Sequence, residues 1–268
     1  RLAGFLDYDG EAAEGAPYWQ LSQWGCTHDL AGAAFSRDGS VMQYDDGGKC
    51  VTVDVARASL TLSIKGSEEY PRDSEGRVRE RIGLMENWPH LLAEQTNVMF
   101  LLPQGLKHLY MSLDYEVTKC ESLVDRNVYP EDIRMHAGMF VWFLHLTDTD
   151  PGSSSYLQSM WFGIKMFDTR FMGGTPAAEF GYDTGKEDST GLLIFIPSLE
   201  EVARQEGSVV TLPSSVVGRR GVVQFDALPF IEKALMAARE IGAMTRIGVE
   251  GLRIDSTNIG WELMGNND

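Results

Sequence analysis

Two kinds of residue in this chain have types and spacings that could do chemistry: carboxylates on predicted strands, and tryptophans beside them. Near the C-terminus, Asn258-Ile-Gly-Trp-Glu-Leu reads as a strand. Side chains alternate along a strand, so Asn258, Gly260 and Glu262 share one face and Ile259, Trp261 and Leu263 the other. With the apolar trio against a covered side, Glu262 and Asn258 point into an open cleft. Glu94, and the pair Asp114 and Glu116 on one face of a strand through Tyr110, are placed similarly. Two carboxyls about 5–5.5 Å apart suit retaining glycoside hydrolysis, and a wider gap suits inversion. Glu262 and Glu94 are therefore the candidate catalytic residues. The plain alternative is that these acids are solvated or paired with Arg77, Arg79, Arg81 and Arg134.

The six tryptophans, at 19, 24, 88, 142, 161 and 261, all fall in or beside predicted strands. Flat sugar faces pack on aromatic planes while neighbouring Asp, Asn, Gln and Arg bond the hydroxyls, the usual division between apolar lining and a few placed polar groups. Trp19 and Trp24 are five apart, so at most one of them lines a given sheet face. Trp88 precedes Pro89, which predicts a bend at the start of a strand. Trp24, Trp88, His90, Asp114, Glu116, His136 and Asn258 are the candidate substrate-binding residues. His90, His136 and His145 could also act as bases with Tyr110 or Tyr115 as acids in an eliminative lyase. That chemistry acts on uronates and wants a basic groove.

Other chemistries lack their signatures. The sequence has no Gly-x-Ser-x-Gly elbow, Walker loop, His-Glu-x-x-His helix or dinucleotide fingerprint. Cys26, Cys50 and Cys120 form no Cys-x-x-Cys pair, so no zinc site is expected; Cys26 and Cys50 could pair, or all three are buried reduced thiols. Asp148-Thr-Asp-Pro-Gly-Ser opens like a calcium loop but has Gly152 at the next ligand position and no closing Glu. It reads as a turn, with a structural calcium ion as the only cofactor left open.

These residues need strands to position them. Short runs rich in Val, Ile, Phe, Trp and Tyr alternate with turn signals nearly throughout, among them Tyr18–Trp24, Cys50–Val55, Leu91–Leu101, His108–Lys119, Gly138–Leu146, Met160–Asp168 and Leu252–Leu263. Met139-Phe-Val-Trp-Phe-Leu is apolar on both faces, as a central strand must be. One long helix is predicted after Asp226 as N-cap, with Pro229 in its first turn, Leu228, Ile231, Leu235 and Ala238 as its apolar stripe, and Gly242 as its stop. No linker divides residues 1–268, so the expectation is one β-sandwich domain with a flanking helix. The net charge of −16 disfavours nucleic acid and anionic membranes, and no apolar run is long enough for a membrane-spanning helix. The start at Arg1 suggests a processed or excised product, either a mature secreted protein or one domain of something longer, and the expected setting is extracellular or cell-surface.

The end of the chain resembles a known family. Val-Val-Gln-Phe-Asp, the helix ending at Gly242 and Leu-Arg-Ile-Asp-Ser-Thr-Asn-Ile-Gly-Trp-Glu look like the close of a concanavalin-type jelly roll. The segment is similar to family 12 endoglucanases, whose closing-strand glutamate is the acid/base; the resemblance puts Glu262 in that place. The family's nucleophile lies in a Glu-Leu-Met-Ile-Trp strand, and the matching strand here, Met139-Phe-Val-Trp-Phe-Leu, contains no acid. The leading expectation is therefore a carbohydrate-active jelly roll that recognises a neutral polysaccharide or oligosaccharide in an aromatic-lined cleft. Two alternatives follow: an endo-acting glycoside hydrolase using Glu262, and a structural or assembly subunit.

Overall fold

The computed structural model describes residues 18–70, 74–75, 88–123, 137–184, 189–246, 248–265 and 267–268. In chain order its strands are β1 (Tyr18–Ser22), β2 (Ala34–Asp38), β3 (Val41–Asp45), β4 (Lys49–Asp54), β5 (Ser59–Ile64), β6 (His90–Thr96), β7 (Phe100–Leu101), β8 (Tyr110–Glu116), β9 (Ala137–Asp148), β10 (Ser159–Asp168), β11 (Glu179–Tyr182), β12 (Leu193–Ile196), β13 (Val209–Val210), β14 (Arg220–Asp226) and β15 (Leu252–Met264). The helices are α1 (Gly66–Glu69), α2 (Leu199–Ala203) and α3 (Leu228–Glu240), with a 3-10 turn at Thr169–Phe171.

The strands form three sheets. The main one has eight strands in the order β1-β6-β15-β9-β10-β12-β11, with β7 paired to β15. The other two are β13-β14-β8 and β2-β3-β4-β5. β15 lies between β6 and β9 and pairs with both, which places the closing strand at the centre of the main sheet. β9 is also central, as its doubly apolar sequence requires.

Strand parity sorts the two faces. Phe140, Trp142, Leu144 and Leu146 of β9, with Ile259 and Trp261 of β15, contact a core made with β8, β14 and α3. Phe162, Ile164 and Met166 of β10 are fully buried in it, each contributing about 1.5–3 kcal/mol by leaving water. The four-stranded sheet covers the same face nearer β1, where Val51 and Ile64 meet Leu21, Leu91 and Leu263. Met139, Val141 and Phe143 project the other way, into a smaller cluster with Ile196 and Met264. The molecule is a β-sandwich with one long helix on its flank, as expected.

α3 begins at Leu228 rather than directly after Asp226. Asp226 still fastens its first turn, since Oδ1 accepts from the Leu228 N–H (3.1 Å) and the Leu109 N–H (2.9 Å). Gly242 closes the helix at φ +72°, a left-handed conformation that glycine adopts without strain. The expected run Leu91–Leu101 is broken at Asn97 and Met99, which have positive φ, so it forms β6 and the short β7. β2 and β11 were not expected: β2 is exposed throughout, and β11 is four mainly exposed residues.

All three cysteines are free and half-buried: of the two readings, the reduced thiols are found and the Cys26–Cys50 pair is not formed. In the acidic loop, Asp148 accepts from the Asp150 N–H (3.0 Å) and Ser155 Oγ (2.8 Å) and is ion-paired with the buried Arg246. A guanidinium thus answers the charge that a calcium ion was expected to meet. Among the described residues, no group of three or more His, Cys, Asp and Glu is arranged to hold a metal ion.

Candidate functional site

Cross-strand pairing sets the residues of the uncovered face in rows. In the first row Gln20 on β1 faces Glu94 on β6, which faces Asn258 on β15, then Phe143 on β9 and Gly163 on β10. Two residues along, about 7 Å, the row is Ser22, Leu92, Gly260, Val141 and Lys165. The third contains His90, Glu262 and Met139. Two glycines make this surface possible. A Cβ on Gly163 would stand 2.3 Å from the Phe143 ring, and one on Gly260 would stand 2.2 Å from the Leu91 carbonyl oxygen.

Over these rows lies a cleft of about 420 Å³. Trp24 and Trp88 line one end, Trp161 and Tyr182 the other, and Glu94, Asn258, Glu262 and Lys165 lie along its floor and walls. Trp24 follows the end of β1 and is 42% exposed, whereas Trp19, also half-exposed, is not among the cleft-lining residues. Trp88 sits at the bend before β6, as Pro89 predicts.

Glu94 is buried and accepts from Ser22 Oγ (2.5 Å) and Gln20 Nε2 (2.9 Å), both neutral donors. Glu262 has a side chain that is 17% exposed, with Oε1 3.7 Å from His90 Nε2. His90 is buried; its Nδ1 lies 3.2 Å from the Trp24 carbonyl oxygen and its ring meets the Trp24 ring edge-on at 5.9 Å. A carbonyl only accepts, so Nδ1 carries the proton and Nε2 is the nitrogen presented to Glu262.

The facing wall carries charge in compensated form. Lys165 Nζ lies 2.7 Å from Glu179 Oε2 and 3.6 Å from Asp168 Oδ2. Arg170 grips Asp168 through Nε and Nη2 at 2.6–3.1 Å. Burial works to lower the Arg170 pKa, but Asp168 outweighs it and raises it. Asp183 accepts from the Thr190 N–H (2.8 Å) and hydroxyl (2.7 Å). Trp161 Nε1 donates to that same Thr190 hydroxyl (3.3 Å), and the Trp161 ring packs on His145 with centroids 4.7 Å apart.

The cleft therefore brings together Trp24, Trp88, His90, Glu94, Asn258 and Glu262 from the sequence-based candidates. Asp114 and Glu116 lie elsewhere, on β8 of the three-stranded sheet, where Asp114 pairs with Arg220 at 2.5 Å. Their strand alternates correctly, but its polar face is the outer face of the sandwich. His136 and the arginines at 77, 79, 81 and 134 lie outside the described residues. Sequence reasoning missed Lys165, Arg170, Glu179, Tyr182 and Asp183. One of them had a signal: a lone lysine inside Trp161-Phe-Gly-Ile-Lys-Met-Phe is rarely buried without a partner.

No protein-family profile matches the chain, and no curated protein is similar to it in sequence. Solved structures are similar in overall shape. One is a thermo-stable, meso-active cellulase derived from the Cel12A cellulase of Rhodothermus marinus, at 12% identity and TM-score 0.41, covering 94% of this chain and 95% of that one. Another is the endo-1,4-β-glucanase CelB2, at 13% identity and TM-score 0.38, covering 92% and 93%. The endoglucanase Cel12A of Rhodothermus marinus itself matches at 12% identity and TM-score 0.38, covering 92% and 94%. What the cleft can do is decided by its own residues.

Proposed function

We propose that the chain is a carbohydrate-active jelly roll that binds a segment of polysaccharide along this cleft. The observation carrying the reading is the set of aromatic side chains at both ends, Trp24 and Trp88 against Trp161 and Tyr182, around a floor of hydrogen-bonding groups. Aromatic planes supply contact area for sugar faces, and the placed polar groups select orientation. The charge of −16 disfavours anionic glycans, so a neutral chain is the simplest ligand. Extracellular or cell-surface polysaccharide is the setting that suits it. Among the described residues no helix is long and apolar enough to cross a membrane.

Recognition is favoured over cleavage by what flanks Glu262. Its cross-strand neighbours are His90 and Met139, neither of them a carboxylate. Hydrolysis with Glu262 as acid/base is the second reading, supported by His90 beside Glu262, with Glu94 as its candidate second carboxylate and Glu179 and Asp183 also lining the cleft.

Titration calorimetry against oligosaccharides of β-glucan, xylan and mannan tests the binding reading. Trp24→Ala and Trp161→Ala are each expected to weaken binding about tenfold or more. No binding to any glycan, or no loss in either variant, would overturn it. Reducing-end release by the wild type that Glu262→Gln abolishes would establish the hydrolase reading instead.

A further inference from the structure

The row Gln20, Glu94 and Asn258 offers more than a sugar hydroxyl needs. The three residues are 6%, 8% and 2% exposed, and Glu94 and Asn258 line the cleft. Gln20 Nε2 donates to Glu94, which fixes the amide and leaves Gln20 Oε1 as its other polar atom. That oxygen is buried without a donor, and so is Asn258 Oδ1 on the strand at the other side of Glu94. A carboxylate offers about four lone-pair sites, and among the described residues Glu94 receives the Ser22 hydroxyl and the Gln20 amide. The row therefore holds two buried acceptor oxygens without donors beside a partly filled carboxylate, with the Asn258 amide N–H groups as its uncommitted donors. Each buried orphan atom costs about 1–3 kcal/mol.

Among the described residues no cation answers it. Lys165 and Arg170, the cleft's basic side chains, are held by Asp168 and Glu179. His145, the titratable neighbour on β9, has its pKa lowered by burial and faces Asp255 at 3.7 Å. Glu262 and His90 occupy a row about 13 Å further along the strands. A hydroxyl brings one donor and no charge. A protonated amine brings three donors and a positive charge, and so matches a partly filled carboxylate better than a hydroxyl does.

We infer that Glu94 and Asn258, with Gln20 fixing the carboxylate, form a subsite for a protonated sugar amine, so that the preferred ligand is an amino-sugar polymer with free amines. The inference rests on the glycan reading and replaces a neutral ligand by a basic one. The excess of acidic over basic groups, in the cleft and in the whole chain, attracts such a polymer from a distance.

The test is calorimetry at about pH 5.5, where sugar amines are charged, with three tetrasaccharides: glucosamine, N-acetylglucosamine and cellotetraose. The glucosamine oligomer is expected to bind about tenfold to a hundredfold more tightly than the other two. Its advantage is expected to shrink as salt rises from about 0.02 to 0.5 M, and Glu94→Gln to bring the glucosamine-to-cellotetraose ratio close to one. The salt series needs only wild-type protein, so a variant that fails to fold does not stall the test. Cellotetraose binding as well as or better than the glucosamine oligomer would overturn the inference and leave the glycan reading standing. Binding of none of the three would overturn both.

Discussion

The buried ion pair between Lys49 and Glu69 permits a quantitative prediction. Both side chains are fully buried, with Nζ 2.6 Å from Oε1. The contact lies outside hydrogen-bond geometry, and the Lys49 hydrogen bond goes instead to the His28 carbonyl, so Coulomb attraction is the main link between the two groups. Glu69 Oε2 also accepts from the N–H groups of Thr27 (2.6 Å) and His28 (3.3 Å). Glu69→Gln keeps the shape and an acceptor but leaves a buried ammonium without its counter-charge, which costs about 3–5 kcal/mol. At about 2–4 °C per kcal/mol for a large domain, the melting temperature is expected to fall by roughly 6–20 °C. Lys49→Met combined with Glu69→Gln removes the orphan charge, and most of the loss should return. Urea and thermal melts of the two single variants and the double variant measure this. A loss under about 1 kcal/mol for Glu69→Gln, or a double variant no better than the single, refutes the reasoning. The pair also anchors the loop that follows Trp24, so Glu69→Gln should weaken glycan binding as well.

Three further outcomes are expected. Gly163→Ala sets a Cβ 2.3 Å from the Phe143 ring and 2.8 Å from the Trp142 carbonyl oxygen; the backbone cannot yield, and a melt should show a loss of about 1–3 kcal/mol. Burial outweighs Asp255 in lowering the pKa of His145, so the group binds fewer protons folded than unfolded. Its contribution to stability is present above the unfolded value near ~6.5 and is lost as pH falls through the folded value. NMR titration of the ring proton should give a midpoint below that of a free histidine, with the melting temperature falling over the same window. Burial pushes the Cys26 thiol up to about 11 and Cys120 up to about 12. Both should therefore react with a thiol reagent at about pH 8 roughly 100-fold more slowly in the native protein than in urea.

The period-two alternation of β15 carried most of what was legible. It put Asn258 and Glu262 on one face and Ile259 and Trp261 on the other, and β9's doubly apolar run marked the strand beside them. The same rule could not tell an open face from an outer one. Asp114 and Glu116 alternate as cleanly as Asn258 and Glu262, but β8 pairs with β14 in the three-stranded sheet. Which strands become neighbours is decided by contacts far apart in sequence, such as His90 with Glu262 or Gln20 with Glu94, and no local pattern encodes those. The far wall was illegible for the same reason. Glu179 and Asp183 come from a short, exposed strand and its flank, and they matter only because β11 pairs with β12 beside Lys165 of β10.

The choice between binding and cleaving returns to the three side chains around one oxygen pair. Because His90 Nδ1 must donate to Trp24, neutral His90 turns the Nε2 lone pair towards Glu262 Oε1, 3.7 Å away. Two acceptors facing each other repel unless a proton lies between them. That proton can be offered to a ligand oxygen as a hydrogen bond, and in a hydrolase it would be the proton given to the leaving group. Cleavage also requires a group to attack from the other side of the sugar, or to activate the water that does. The residue facing Glu262 across β9 is Met139, whose sulfur accepts from Arg170 (3.3 Å) and can do neither. Glu94 is two rows away, about 13 Å along the strands. The cross-strand neighbours of Glu262 are thus not carboxylates, while Glu179 and Asp183 line the same cleft. Reducing-end release by the wild type and by Glu262→Gln is therefore the measurement that separates holding a glycan from cutting one.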